Sequence, residues 1–136
     1  MNTAAFKLEN YLFDKVSMDL SKLKTETTFN IDFDPSGEFY PDKDKYILTF
    51  VFSAKDDESD NEIINIRCRA TYLFRGLNES KDIPDYFYNN AIAILFPYVR
   101  AFVSTITLQA NVAPIVLPTL NLSELKDTLA SHTTRM

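Results

Sequence analysis

The stretch Ile92–Leu125, IAILFPYVRAFVSTITLQANVAPIVLPTLNLSEL, constrains this chain more than any other. Ile92, Leu95, Phe96, Val99, Phe102, Val103 and Ile106 recur at the i, i+3, i+4, i+7 spacing of a buried helix face. Arg100, Ser104, Thr105 and Gln109 fall mainly off that face. Pro97 lies inside the pattern, where a missing N–H either kinks a helix or marks its first turn. The expectation is a break near Phe96–Pro97 and a regular helix from Pro97 to about Gln109. Pro114 and Pro118 then exclude a helix over Val112–Leu120 and predict an extended segment. Asn121 and Glu124 read as a capping pair for a last helix striped by Leu122, Leu125 and Leu129. Ala130–Met136 reads as a flexible tail.

Ahead of that stretch the period changes from helical to two. Phe6, Leu8, Leu12, Val16, Met18 and Leu20 share one parity, but Asn10 and Asp14 interrupt it and Tyr11 and Phe13 sit on the other. This predicts a strand with a bulge or a change of partner near Tyr11–Asp14. Ser21–Thr28 is polar and reads as a connection. Phe29, Ile31 and Phe33 alternate with Asn30, Asp32 and Asp34 as a half-buried strand. Asp34-Pro35-Ser36-Gly37 has turn chemistry, and Phe39 and Tyr40 fall on the charged loop expected after it. Tyr46–Ala54 is apolar on both faces, with Tyr46, Leu48, Phe50 and Phe52 opposite Ile47, Thr49 and Val51. After the charged hairpin loop Lys55–Glu62, Ile64, Ile66, Cys68, Ala70, Tyr72 and Phe74 alternate with Asn65, Arg67, Arg69 and Thr71. Asp82, before Ile83-Pro84, reads as a cap for the helical region that follows. Strands first and helices afterwards predict an α+β fold: a four-stranded antiparallel sheet, a long broken helix and a short C-terminal helix.

A length of 136 residues is one domain's worth, large enough to bury a core without staples. The composition excludes several kinds of function. A net charge of −5 argues against nucleic acid and anionic membrane, both of which need a basic footprint. No apolar run in the sequence approaches the roughly 20 residues of a membrane span, so no membrane insertion is expected. The start, MNTAAFKLENY, lacks the basic and apolar regions of a signal peptide. The single cysteine, Cys68, cannot close an internal disulfide and fits a reducing, cytoplasmic setting. One histidine, His132, and one cysteine make neither a zinc set nor a nucleophile–base pair. The only glycines, Gly37 and Gly76, make no phosphate-cradling loop. The acidic run Lys55–Glu62 lacks the glycine and the ligand spacing of a calcium loop. No catalytic residue, cofactor or metal is expected, and the chain does not read as an enzyme. What is unusual is 11 Phe and 7 Tyr with no Trp, an apolar surplus suited to an interface or a groove as much as to a core.

One part of the organising stretch carries a resemblance. Ile94–Arg100 reads ILFPYVR; a helix, a proline-bearing crossover and Asn121-Leu122-Ser123-Glu124-Leu125 follow. This resembles the SecB family of export chaperones, where an (I/L)LFPYxR helix precedes a proline-bearing, leucine-rich segment and an N-(F/L)-x-x-L helix. Order and spacing match as well as the heptapeptide. The resemblance implies an ATP-independent cytoplasmic chaperone that holds unfolded clients, classically preproteins, and passes them to the SecA motor. It implies a homotetramer, a dimer of dimers, in which edge strands extend the sheet across one interface and the main helices pack at the other. By order of elements it places client-binding positions at Phe29, Ile31, Phe33, Phe39, Tyr40, Leu122, Leu125 and Leu129. It places core and oligomer interface at Leu95, Val99, Phe102, Val103 and Ile106.

The match departs from the family at the SecA-docking positions. The family's Gly-Gly is replaced by Ala70-Thr71, and an acidic SecA-docking residue by Arg67. Further docking acids fall around Lys15 and Asp19, so one is kept, and the glycine-rich SecA-binding end is missing. A SecB-like protein serving another partner fits better, such as a chaperone guarding an antitoxin in a toxin–antitoxin system. Three functions therefore compete: a holdase for unfolded polypeptide, a subunit dedicated to one protein partner, and an α+β domain with a closed small-molecule pocket.

Overall fold

The alternating segments pair into one sheet, and the helical stripe covers one face of it. A computed structural model describes residues 4–24, 27–113, 115, 117 and 121–136. Strands β1 (Ala5–Met18), β2 (Phe29–Tyr40), β3 (Lys45–Asp56) and β4 (Glu62–Arg75) come first. Helix α1 (Asp85–Gln109), helix α2 (Leu122–Ser131) and a three-residue strand β5 (Thr133–Arg135) follow. The strand order is β1-β4-β3-β2-β5. The first four strands pair antiparallel, and β5 pairs parallel to β2. The α+β expectation stands, but the sheet is five-stranded and mixed rather than four-stranded and antiparallel. The difference lies in Thr133–Arg135, whose short polar run carries no period-two apolar signal.

On β3 and β4 the even-numbered residues Tyr46, Leu48, Phe50, Phe52, Ile64, Ile66, Cys68 and Tyr72 are buried. Against them α1 buries Phe87, Ala91, Ile92, Leu95, Val99, Val103 and Thr107. Each large apolar side chain so enclosed contributes about 1.5–3 kcal/mol relative to exposure. β1 keeps its apolar residues on the same face by slipping register twice, between Leu8 and Asn10 and between Phe13 and Lys15. Each slip reverses parity. Phe6 and Leu8, then Tyr11 and Phe13, then Val16 and Met18 thus pair with residues of β4's buried parity. The interrupted alternation in the sequence is the trace of two bulges.

Three local expectations change. Asp34–Gly37 is no turn but the middle of β2, whose hairpin turn is the 3-10 segment Pro41–Lys43 followed by left-handed Asp44. Gly37 donates its N–H to His132 O and Phe39 O accepts from Met136, both away from β3. By alternation Pro35 also points its backbone nitrogen outward, so its missing donor costs no bond to β3. α1 runs unbroken through Pro97. Pro97 and Ala93, whose carbonyl loses its helical partner, both lie on the exposed side, where water replaces that bond. Unbroken, the helix is 25 residues long and its most apolar 18-residue window has a mean hydropathy of 1.7, enough on those measures to cross a bilayer, although its buried side fills the core. The expected tail is ordered: Ala130 and Ser131 finish α2 and β5 follows. Asn121 does occupy the α2 N-cap position, but makes no side-chain cap bond. Pro114, Val116 and Pro118–Leu120 of the expected extended segment lie outside the described residues.

Gly37 is needed for space. A Cβ there would lie 1.8 Å from the Tyr46 hydroxyl oxygen and 2.2 Å from Cζ. Tyr46 is wholly buried and cannot swing away. Gly37→Ala is expected to destabilise the fold by about 1–3 kcal/mol, as overpacking does. Urea unfolding monitored by near-UV circular dichroism would measure this; an unchanged midpoint would contradict the fit.

Candidate functional site

The first surface to consider is the β2 edge. Phe29, Ile31 and Phe33 point to the α1 side of the sheet but are only half-buried. The Phe33 ring centroid lies 5.8 Å from Phe50 and 5.7 Å from Phe52. It also meets Phe96 of α1 edge-on at 5.8 Å. Phe96, Ile115 and Leu125 are likewise half-buried against the core. Ile115 is tied to α1, since its N–H donates to Thr107 Oγ1 and its carbonyl accepts from Ser104 Oγ. An open recess of about 130 Å³ lies where Phe29 faces Leu20, Leu23, Val112 and Ile115. Outward from Phe29 to Pro35, β2 has no strand partner among the described residues. The backbone groups of Phe29, Ile31 and Phe33 therefore point out of an open edge, while their side chains form an apolar row beside it.

Not every residue assigned to this surface reaches it. Phe39 is 1% exposed, set edge-to-face against Phe74 and covered by the Arg135 guanidinium. Tyr40 lies on the opposite sheet face, where its hydroxyl donates to Glu38 and Lys45 sits over its ring. Leu129 is fully buried. The Leu122 side chain lies outside what is described. Phe29, Ile31 and Phe33 are thus the expected client positions that share one accessible strand face, and Leu125 is half-buried on α2. Leu95, Val99 and Val103 fill the protomer's own core, whereas Phe102 and Ile106 are half-buried on its flank.

That flank is the second surface. Phe102 stacks on Phe13 at 4.1 Å and 7°, and Tyr98 packs over Tyr11 at 4.5 Å. Tyr11, Val16, Ile94 and Leu108 are exposed, and Tyr98 is 43% exposed. Tyr98, Ile94 and Leu108 escaped the sequence reading because a helix stripe marks only its inner side. The parity flip at Tyr11 and Phe13 was the available signal for the rest.

The outer sheet face sets ion pairs among half-buried Ile47, Val51 and Leu73 and exposed Leu12. The second β1 bulge leaves Asp14 unpaired in the ladder and turns it to Arg67, which donates Nε and Nη2 to its two oxygens at 2.9 Å each. Arg69 reaches Glu38 at 3.4 Å. Asp19, the acid that the resemblance matched to a docking position, accepts from Ser21 N–H and Oγ at 3.0 and 2.6 Å and is engaged in a local turn. Cys68 is buried, and burial pushes its thiol up to about 11.

No protein-family profile matches the chain. The chain is 27% identical to the protein-export protein SecB of Magnetococcus marinus, over 91% of this chain and 88% of that one. It is 26% identical to an uncharacterized protein of Methanocaldococcus jannaschii, over 88% and 81%. Its fold superposes with a TM-score of 0.70 and 14% identity on the SecB-like chaperone Rv1957 of Mycobacterium tuberculosis. That structure contains a ChAD peptide from the antitoxin HigA1, and the match covers 85% of this chain and 88% of that one. This protein is SecB-like. The ILFPYVR helix precedes the last helix in this SecB-like chain, in the order the resemblance requires.

Two predictions follow from the site chemistry. With burial holding its thiol protonated, Cys68 is expected to resist Ellman's reagent at pH 8 until denaturant is added. Rapid labelling of native protein would show that β4 is not enclosed as described. Asp14 is held below the usual carboxylate range, first by its hydrogen bonds from Arg67. A depressed carboxylate stabilises the fold above its unfolded pKa and loses that effect as pH falls through its folded value. The stability gap between wild type and Asp14→Asn should therefore be present at pH 7 and close below about pH 4. A gap that stays constant to pH 2 in denaturant titrations would count against the ion pair.

Proposed function

We propose that this SecB-like protein is an ATP-independent holdase that binds unfolded polypeptide at the open edge of β2. One observation carries the reading: the half-buried row Phe29, Ile31 and Phe33 lies beside an unpaired run of outward backbone groups. Unfolded chains of any sequence share a backbone that can add to an edge, and exposed apolar side chains that need cover. Leu125 supplies the α2 side of the surface, and Phe102, Ile106, Tyr98 and Ile94 the flank through which copies assemble into a homotetramer. The setting is the cytoplasm, no cofactor is used, and export of preproteins is one service such a holdase performs.

A dedicated role for one protein partner, such as an antitoxin, is the second reading. It is favoured by the outer face, where Arg67 and Lys15 stand at positions that would be acidic for SecA docking and Asp14 is spent on Arg67. The peptide bound in the mycobacterial neighbour gives that reading a precedent.

Light scattering with and without a permanently unfolded protein tests the proposal. The expected result is a tetramer that takes up the unfolded chain stoichiometrically; a monomer that ignores it would overturn the reading. Phe102→Asp should dissociate the assembly, and Leu125→Asp should weaken uptake while the assembly stays intact. Uptake restricted to one partner's peptide would select the second reading.

A further inference from the structure

The strand β5 is joined to α2 through a single residue, His132, and sits on the edge that the proposed guest would use. Its fastenings are specific. Gly37 N–H donates to His132 O and Met136 N–H to Phe39 O. The buried Tyr46 hydroxyl and Thr133 Oγ1 lie 2.6 Å apart, and Thr133 Oγ1 also donates to Leu129 O in the last turn of α2. Arg135 donates to the carbonyls of Ser80 and Lys81, in the connection between β4 and α1, and lies over the Phe39 ring. Apart from Leu129, the described side chains of α2 are half-buried at most: Leu125, Lys126 and Thr128 are half-buried and Asp127 is exposed. A helix of 10 residues with one enclosed side chain among those described depends on what holds its ends. The fastening is also short. Three strand residues, two of them exposed, make bonds that roughly balance the entropy of ordering them. An open surface cleft of about 270 Å³ borders Thr133 and Arg135 beside Phe39, Ile83 and Tyr88.

We propose that Thr133–Arg135 is a releasable clasp that seats α2 while docked and, when released, frees both α2 and the end of the β2 edge for a guest polypeptide. The proposal rests on the holdase reading and adds a gate to it. Docked, β5 occupies Gly37–Phe39 and leaves only the run from Phe29 to Pro35 for an added strand. Released, it extends that run to Phe39 and uncovers Phe39 and Leu129, two assigned client positions that the docked form buries. Opening of this size belongs to the local, low-stability end of a protein's motions and does not require global unfolding.

A Glu38→Cys/Thr134→Cys pair tests the clasp, because these residues are direct partners in the β2–β5 register. Neighbouring strands place partner Cα atoms within disulfide range. The oxidised form locks β5, the reduced form leaves it free, and a chain lacking Thr133–Met136 has no clasp. Hydrogen exchange of α2 amides and affinity for reduced, carboxymethylated lactalbumin are read on all three. In the truncated chain α2 should exchange faster than in the reduced form, and in the oxidised form slower. The oxidised form should bind about tenfold more weakly than the reduced form, since locking leaves a guest only the short run from Phe29 to Pro35. Unchanged α2 exchange would overturn the clasp. Altered exchange with equal binding by oxidised and reduced protein would overturn the gate. If no form binds the unfolded chain while α2 exchange responds, the holdase reading falls and the seating of α2 is supported.

Discussion

Phe87 is the side chain on which the packing of helix against sheet depends. It is the first residue that α1 buries, and its ring centroid lies 4.8 Å from Phe6, 4.7 Å from Tyr46, 5.5 Å from Tyr72 and 4.7 Å from Phe74. Those partners come from β1, β3 and β4, so one ring joins strands far apart in the chain. Edge-to-face contacts of this kind add to burial and fix orientation, which aliphatic packing does less well. The two buried tyrosines give the cluster its polar exits: Tyr72 donates to the Ala91 carbonyl of α1, and Tyr46 meets Thr133 of β5. Burial lifts both phenols well above the usual tyrosine range. Neither hydroxyl is left unpaired, which is the condition for enclosing a tyrosine at all. The same cluster therefore seats the long helix and the last strand.

The legible part of the fold was the part where one period held over a long run. β4 alternates through Ile64–Phe74 and formed on the parity read from the sequence, whereas β3, read as apolar on both faces, buries Tyr46, Leu48, Phe50 and Phe52 and leaves Ile47, Thr49 and Val51 half-buried. β1 was read correctly as an interrupted strand, because a bulge leaves a parity flip in the apolar pattern. The failures have local causes. Asp-Pro-Ser-Gly carries turn chemistry, but an edge strand accepts proline where the missing donor faces away from its neighbour, and the glycine served the Tyr46 ring instead of a turn. Pro97 looked like a break because sequence does not show that the carbonyl it orphans faces water. β5 left no signal, since three polar residues on an edge are held by tertiary partners and not by pattern.

The candidate site was legible to the same degree and for the same reason. Period two placed Phe29, Ile31 and Phe33 on one side of a strand, but could not show that the strand lies at an edge for most of its length. Phe39 shares their parity, yet α2 and β5 pack over that end of β2 and bury it. Tyr40 differs from Phe39 by one residue, which on a strand is the opposite face. The helix stripe predicted inward residues well and outward ones not at all. The exposed aromatic pair Tyr11 and Tyr98 came into view only through register.

An open edge is a hazard as well as a site, since any second edge can pair with it. β2 carries several of the devices that limit such pairing. Asp32 and Asp34 line the sheet face beside the open run, so two copies approaching edge to edge would bring like charges together. Pro35 removes one outward donor from the run, and β5 closes the three positions beyond it. Lys45 and Arg69 sit further along, nearer the closed end, where Arg69 is already held by Glu38. The unprotected part is then short, acidic on one side and apolar on the other. Self-pairing is discouraged by charge while addition of a foreign extended segment is not. Under the proposed reading, that asymmetry would let the chain offer an edge to other polypeptides while limiting pairing with itself.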